Sequence, residues 1–291
     1  MRVTHNSIAA NVLTNLQGNI NRMGEIQQRL ASGKQINKAS DSPAATVSVL
    51  ALRSEVAANR QYARNADDGL GWLTAADSAL QNASELVTRA RGLVLQGMSS
   101  QTGPEAKAAL AEEIRQLSEA MRDTANTSYL DRPVFGGTTK EATAYPGGTA
   151  FNGNGEAVMR TIGANTKVPV NVDGRLVFGE GVDSIFGILS DIATKLDGDP
   201  TGLGDDLTRL DAKVVGIKNG LSTVGARTNQ LERMRQAADD AVLNVSKTLS
   251  DVEDIDLPQT ITELQLQQTA YQAALAAGAR VVQPSLIDFL R

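Results

Sequence analysis

Residues 30–45 read Leu-Ala-Ser-Gly-Lys-Gln-Ile-Asn-Lys-Ala-Ser-Asp-Ser-Pro-Ala-Ala. Gly33 is a helix-stop signal, because glycine enters the left-handed conformation that ends helices at little cost. Ser40-Asp41-Ser42 offers capping oxygens immediately before Pro43. Proline suits the first helical position, where its missing N–H would be unpaired anyway. One helix therefore ends here, a short polar connector follows, and a second helix begins. Gly33, Ser42 and Pro43 are the expected hinge.

Upstream of this hinge, Leu13, Leu16, Ile20, Met23, Gln27 and Leu30 recur at alternating steps of three and four. That spacing predicts a coiled-coil-like seam. The opposite face carries Asn15, Gln17, Asn19, Asn21, Glu25 and Gln28. A helix lying on a membrane surface needs a basic polar face, and only Arg22 and Arg29 are on hand, so the expected partner is another helix. Gly18 and Gly24 each weaken the isolated helix by up to about 1 kcal/mol.

Downstream, Val49, Leu52, Val56, Ala63, Ala66, Leu70, Leu73, Leu80 and Val87 keep the same spacing. A helix continuous to Met98 would be about 80 Å long. Gly69, Gly71 and Gly92 are the expected places for a bend, and Trp72 is expected to be half-buried beside the seam. Gly97–Pro104 reads as a turn, and Leu110, Ile114, Leu117 and Met121 mark a third helix that gives out near Asn126.

The character changes at Tyr129, after which Gly, Thr, Asn and Pro dominate as far as Gly181. Residues 168–172 and 175–178, joined by Asp173-Gly174, predict a hairpin with a type I′ turn, Pro169 placing its first strand at an edge. A second hairpin is expected over 151–162. Helix resumes at 182–196 on Ile185, Ile188, Leu189 and Ile192. The loop 197–202 fails as a calcium site, since Thr208 stands where the bidentate glutamate belongs, and reads as a plain turn. A long helix from Asp205 to Asp254 follows, its inner face running through Leu210, Val214, Ile217, Leu221, Val224, Leu231, Met234, Ala238, Ala241, Val245 and Val252. Asp256-Leu257-Pro258 repeats the punctuation of the first hinge, so Pro258 joins the hinge set. The last helix has its seam at Leu257, Ile261, Leu264, Gln268, Tyr271, Leu275, Gly278 and Val282, before Pro284 and the apolar tail 286–290.

The two halves mirror each other. The expected fold is mainly α, an elongated antiparallel helical rod or coiled coil with a small β-hairpin insert. Residues 1–42 and 257–291 would form a terminal coiled-coil domain, 43–132 and 181–256 a helical rod, and 133–180 the insert. Two lone helices cannot cover their apolar stripes. Leu13, Leu16, Ile20, Met23, Leu30, Leu264, Tyr271, Leu275, Val282, Leu286 and Phe289 are therefore the expected subunit-interaction residues.

Composition narrows the function. The 291 residues carry a net charge of −5, contain no cysteine, and include one histidine, His5. Acidic balance argues against a nucleic-acid backbone as partner. Disulfides and thiolate or histidine-cluster metal sites are excluded. No apolar run reaches the roughly 18 residues needed to span a bilayer, and Met1–Ser7 does not lead into the apolar core of a secretory signal. Phosphate-binding, metalloprotease and nucleophile-elbow motifs are missing. Glu112-Glu113, Asp205-Asp206 and Asp239-Asp240 read as solvated helix faces, and Arg227, Arg233 and Arg235 as surface and inter-helix pairing residues. No enzyme, cofactor or membrane partner is expected.

Several stretches resemble the flagellin superfamily nearly end to end. Leu30–Asn37 with Ala39–Ala44 is similar to its N-terminal signature, as are Tyr62–Leu70 (Tyr-Ala-Arg-Asn-Ala-Asp-Asp-Gly-Leu) and Leu86–Leu93 (Leu-Val-Thr-Arg-Ala-Arg-Gly-Leu). Val224–Glu232 (Val-Gly-Ala-Arg-Thr-Asn-Gln-Leu-Glu) is similar to the matching C-terminal element. Residues 126–138 and the endings 271–275 and 285–290 resemble the junction proteins between hook and filament more than filament flagellins. The resemblance implies a flagellin-like fold in an extracellular, non-enzymatic building block of the bacterial flagellum. It implies unfolded export through the flagellar type III apparatus with an export chaperone, and assembly with itself as a ring, with another hook-associated protein and with flagellin. The terminal helices would order only in the assembly. A filament flagellin with a reduced variable region is the alternative. Arg89 and Leu93 resemble part of a surface that an innate immune receptor binds in flagellins; Gly92 stands where flagellins carry a glutamate, and subunit packing is the plainer reading of that region.

Overall fold

The computed structural model describes residues 5–99 and 102–282, with side chains described for 10–99 and 102–279. The chain forms two compact units, one of residues 1–57 with 242–291 and one of residues 58–241. Seven α-helices lie among the described residues: α1 (His5–Ser32), α2 (Pro43–Gly97), α3 (Pro104–Ala125), α4 (Gly174–Val177), α5 (Ile185–Asp197), α6 (Leu203–Glu253) and α7 (Leu257–Val282). Two short antiparallel ladders accompany them, β1 (Ser128–Tyr129) with β2 (Arg132–Pro133), and β3 (Met159–Gly163) with β4 (Thr166–Pro169).

In the unit of residues 58–241, α2 supplies two rows at heptad spacing. Ala66, Leu73, Leu80, Val87 and Val94 form a row of mostly large side chains, and Gly69, Ala76, Ala83, Ala90 and Gly97 a row of small ones; all are buried. Leu203, Leu210, Ile217, Val224, Leu231 and Ala238 of α6 are likewise buried at steps of seven. The small row lets neighbours approach closely. A Cβ on Gly69 would lie 2.9 Å from both Leu231 and Val170 side chains, and one on Gly71 would collide with the Tyr129 hydroxyl. These glycines are sites of close contact, and α2 runs through them without a break. α3 adds Leu110, Ile114 and Met121, while α5, buried on most of its surface, packs against α3.

The region between α3 and α5 has an aromatic core of its own. Phe135, Tyr145, Phe151, Phe178 and Phe186 contact one another with ring centroids 4.9–6.4 Å apart. The Tyr145 hydroxyl donates to the Gly179 carbonyl at 3.0 Å, and burial pushes its pKa up. This insert differs from the expected one. Asp173-Gly174 does not turn a hairpin; the Asp173 side chain accepts from the Arg175 N–H and caps α4. Helix wins because an aspartate in extended conformation meets the free N–H groups of the next turn. The β4 strand pairs backwards with β3 instead, in the register Met159↔Pro169 to Gly163↔Thr166, so only the end of the 151–162 stretch is strand. The residues with positive φ at both turn positions, as type I′ requires, are Leu130 and Asp131 between β1 and β2. A 3-10 turn, Gly181–Asp183, precedes α5, which starts three residues later than expected.

Side chains of the long helices pin this insert. Asn65 Nδ2 donates to the Thr161 carbonyl at 2.6 Å, and Asp68 pairs with Arg160 at 2.5 Å. Asn126 both donates to and accepts from the Tyr145 backbone at 2.8 Å.

Trp72 is 1% exposed, not half-buried, because Tyr129 packs edge-on at 5.9 Å and Arg132 lies over its ring. Trp72→Ala should lower the unfolding free energy of this unit by about 3–5 kcal/mol, read by urea denaturation followed by circular dichroism. A loss below about 1 kcal/mol would place the indole outside the core.

Candidate functional site

The terminal unit, residues 1–57 with 242–291, is built on the antiparallel pair α1 and α7. Gly278 gives Val12 room, since a Cβ there would come within 2.7 Å of the valine methyl. Gln267 Nε2 donates to the carbonyl and side-chain oxygens of Asn19 at 3.4 and 3.3 Å. The less exposed residues define the seam: Val12, Leu16, Asn19, Met23, Ile26 and Leu30 on α1, and Leu264, Gln267, Tyr271, Ala274 and Gly278 on α7. Both sets step by three and four.

This seam lies partly beside the one read from the sequence. Leu16, Met23, Leu30, Leu264 and Tyr271 fall on it. Leu13, Ile20 and Leu275 are 65%, 45% and 44% exposed, and with exposed Leu257 and Ile261 they leave a second apolar stripe uncovered on each helix. Val282 ends α7 with its side chain undescribed, and Leu286 and Phe289 lie outside the described residues. No described side chain of α1 is fully buried. A two-helix layer has too little depth to bury both stripes.

At the hinge, Gly33 takes φ +69° and its N–H closes the last turn onto the Arg29 carbonyl at 2.8 Å. Ser42 Oγ accepts from the Ala45 N–H at 3.4 Å, with Pro43 as the first residue of α2. Asp256 does the same for α7, accepting from the Gln259 N–H at 3.0 Å, and Pro258 is the second helical residue. The two connectors are joined to each other. Gln35 N–H donates to the Glu253 carbonyl at 2.7 Å, and Ile255 N–H to the Gly33 carbonyl at 3.2 Å.

A charge cluster sits on this junction. The Glu253 side chain is 2% exposed and accepts from the Arg53 guanidinium through both oxygens, with Lys34 Nζ 3.3 Å away. Lys34 also donates to Asp254 at 2.6 Å. The Arg53 hydrogen bonds, then that of Lys34, hold the Glu253 carboxyl below its usual range despite burial. Lys34 and then Ser250 do the same for Asp254, while Asp254 foremost raises Lys34. The sequence reading missed this clasp, although Lys34 directly after the helix stop and Glu253-Asp254 directly before the second break are opposite charges at matched positions.

Arg89 and Leu93 lie in the other unit. Arg89 is exposed and paired with Glu113 of α3 at 2.6 Å, whereas Leu93 is buried in the helical core. Among the described residues no group of three metal-ligating side chains occurs, and no helix is long and apolar enough to cross a membrane.

The sequence matches the bacterial flagellin N-terminal helical region over residues 3–139 and the C-terminal helical region over 207–290. The chain belongs to the flagellin superfamily. Flagellin of Halalkalibacterium halodurans is 24% identical, with both chains covered completely. Flagellar hook-associated protein 3 of Escherichia coli is 23% identical over 91% of each chain. Among solved structures, a putative flagellar hook-associated protein from Vibrio parahaemolyticus superposes with a TM-score of 0.67 at 18% identity, covering 74% of this chain and 100% of that one. This superfamily is structural, and the signature residues Asn65, Asp68 and Arg227 here bind the insert to the long helices.

Because folded Glu253 and Asp254 titrate below their unfolded values, their stabilisation is full above the ordinary carboxylate range and is lost as pH falls through the lowered values. Amide exchange at Gln35 and Ile255, corrected for intrinsic rate, should lose protection below about pH 4. Glu253→Gln should cost the terminal unit about 1–3 kcal/mol at neutral pH and flatten that dependence. Unchanged protection would remove the clasp from the hinge's stability.

Proposed function

We propose that this chain is a non-enzymatic, self-assembling component of the bacterial flagellum that forms the junction between hook and filament, as hook-associated protein 3. The observation that carries the reading is the pair α1 and α7 of the terminal unit: a layer only two helices thick, with a second apolar stripe exposed on each helix through Leu13 and Ile20 and through Leu257, Ile261 and Leu275. Apolar residues exposed repeatedly along a helix face mark surface that other subunits cover in assembled proteins. In this reading residues 1–42 and 257–291 are the part that neighbours order, and the seam and outer-stripe residues make the subunit contacts. The chain acts outside the cell, exported through the flagellar type III apparatus with a chaperone. It forms a ring with copies of itself, one face meeting another hook-associated protein and the other flagellin.

The hook-associated proteins among its relatives and its C-terminal sequence support the junction position. A second reading, filament flagellin with a reduced variable region, is favoured by the end-to-end match to Halalkalibacterium flagellin.

Deleting the gene separates the two. Cells lacking a junction protein should keep hooks and shed filament subunits into the medium; cells lacking a filament flagellin should keep junction-capped hooks without filaments. Normal filaments in the deletion strain would overturn both. At the hinge, Gly33→Val would force a β-branched residue into φ +69°, a strain of about 1–2 kcal/mol. That variant should leave the melting of the 58–241 unit unchanged and reduce incorporation into flagella, measured by immunogold counting. Equal losses in both would deny the hinge a role of its own.

A further inference from the structure

A groove of about 500 Å³ opens in the 58–241 unit between the end of β4 and α6. Pro169, Asn171 and Val172 form one wall, Asn219, Thr223 and Arg227 the other. Leu176 of α4 stands at its rim, 75% exposed. The charged pair beside the groove is self-contained: Asp173 accepts from both the backbone N–H and the guanidinium of Arg175.

Arg227 is different. It is half-buried, and among the described residues its one hydrogen bond runs from Nη1 to the Asn171 carbonyl at 2.5 Å, with no carboxylate within ion-pair distance. Burial lowers its pKa, so the site bears the desolvation of a cation without an anion to offset it. A guanidinium presents five donors in a rigid fork matched to a carboxylate, and Arg227, which lines the groove, has one hydrogen bond among the described residues. Of the other half-buried arginines in this unit, Arg160 and Arg209 meet carboxylates of this same chain, while Arg122 lies over the Phe186 ring and donates to the Gly148 carbonyl.

We propose that this groove receives an exposed carboxylate side chain from a second copy of the chain, Arg227 binding the carboxylate and Leu176 packing on an adjacent aliphatic residue. The inference rests on the self-assembly reading above. Charge selects the occupant: with 33 acidic against 28 basic residues, each copy of this chain carries carboxylates in excess of its cations. A carboxylate in excess on one copy complements Arg227, which meets no carboxylate among the described residues of its own chain.

The test places a photo-crosslinking amino acid at Leu176 in the full-length chain, expressed in cells lacking the native copy, and irradiates isolated flagella. A band at twice the chain mass is expected, whose crosslinked peptide is from a second copy and contains Asp or Glu. Arg227→Gln, which retains a donor for the Asn171 carbonyl, should cut the crosslink yield about tenfold, the equivalent of one lost charge-assisted contact. Arg227→Lys should restore most of it, and both should match the native melting temperature as monomers. Chains that assemble but crosslink to flagellin, to another hook-associated protein or to nothing would overturn the groove while leaving the assembly reading intact. So would a crosslink indifferent to Arg227→Gln. Absence of the unsubstituted chain from flagella would overturn the assembly reading, and this inference with it.

Discussion

Everything in the 58–241 unit depends on how closely other elements can approach α2. That distance is set by a row of Gly69, Ala76, Ala83, Ala90 and Gly97 running beside the larger Ala66, Leu73, Leu80, Val87 and Val94. Small residues at every seventh position remove the side-chain thickness on one flank, while the larger row fills the space so released. Leu196 and Leu110 then reach Gly97, and Leu231 and Val170 reach Gly69. Because α6 buries its own residues in steps of seven, the two long helices hold a consistent register over many turns.

The packing changes chemistry along the chain. Helices meet through aliphatic side chains and alanine, whereas the insert between α3 and α5 gathers Phe135, Tyr145, Phe151, Phe178 and Phe186 into one cluster. Short strands of two to five residues cannot stabilise themselves. Aromatic burial and the polar ties from Asn65, Asp68 and Asn126 do that for them. The terminal unit has no such aromatic cluster among its described residues. Its order comes from one shallow seam, two cross-connector backbone bonds and the Glu253 clasp.

The sequence was legible wherever periodicity and punctuation agreed. The boundaries at Gly33, Pro43, Gly97, Pro104 and Asn126 follow from residues whose backbone preferences leave little choice, and the heptad rows of α2 and α6 were visible in their apolar spacing. Asp173-Gly174 misled because the same dipeptide that favours a tight turn also makes a good helix cap, and only the pairing of β4 with β3 decides between them. The type I′ turn at Leu130-Asp131 gave little signal, since Asp131 tolerates positive φ but Leu130 disfavours it. Seam phase on α1 was off for half its positions because two adjacent rows, Val12–Asn19–Ile26 and Leu13–Ile20, both step by seven, and Asn19 interrupts the apolar character of the one that is covered. The clasp is harder to read for another reason: opposite charges beside the two breaks permit it, and only the folded chain between them brings Lys34 to Glu253 and Asp254.

The Lys34–Asp254 contact closes a loop of 220 residues. Closure entropy grows with the logarithm of loop length, so the cost of bringing those ends together falls steeply once the chain between them has folded. The clasp, and the pairing of α1 with α7 beyond it, are contacts of very high sequence separation and belong late in folding. Until residues near 254 exist and the intervening helices have formed, α1 has no intramolecular partner. Its apolar stripes are then available to whatever helix arrives first, a kinetic opening set by the order of the chain itself.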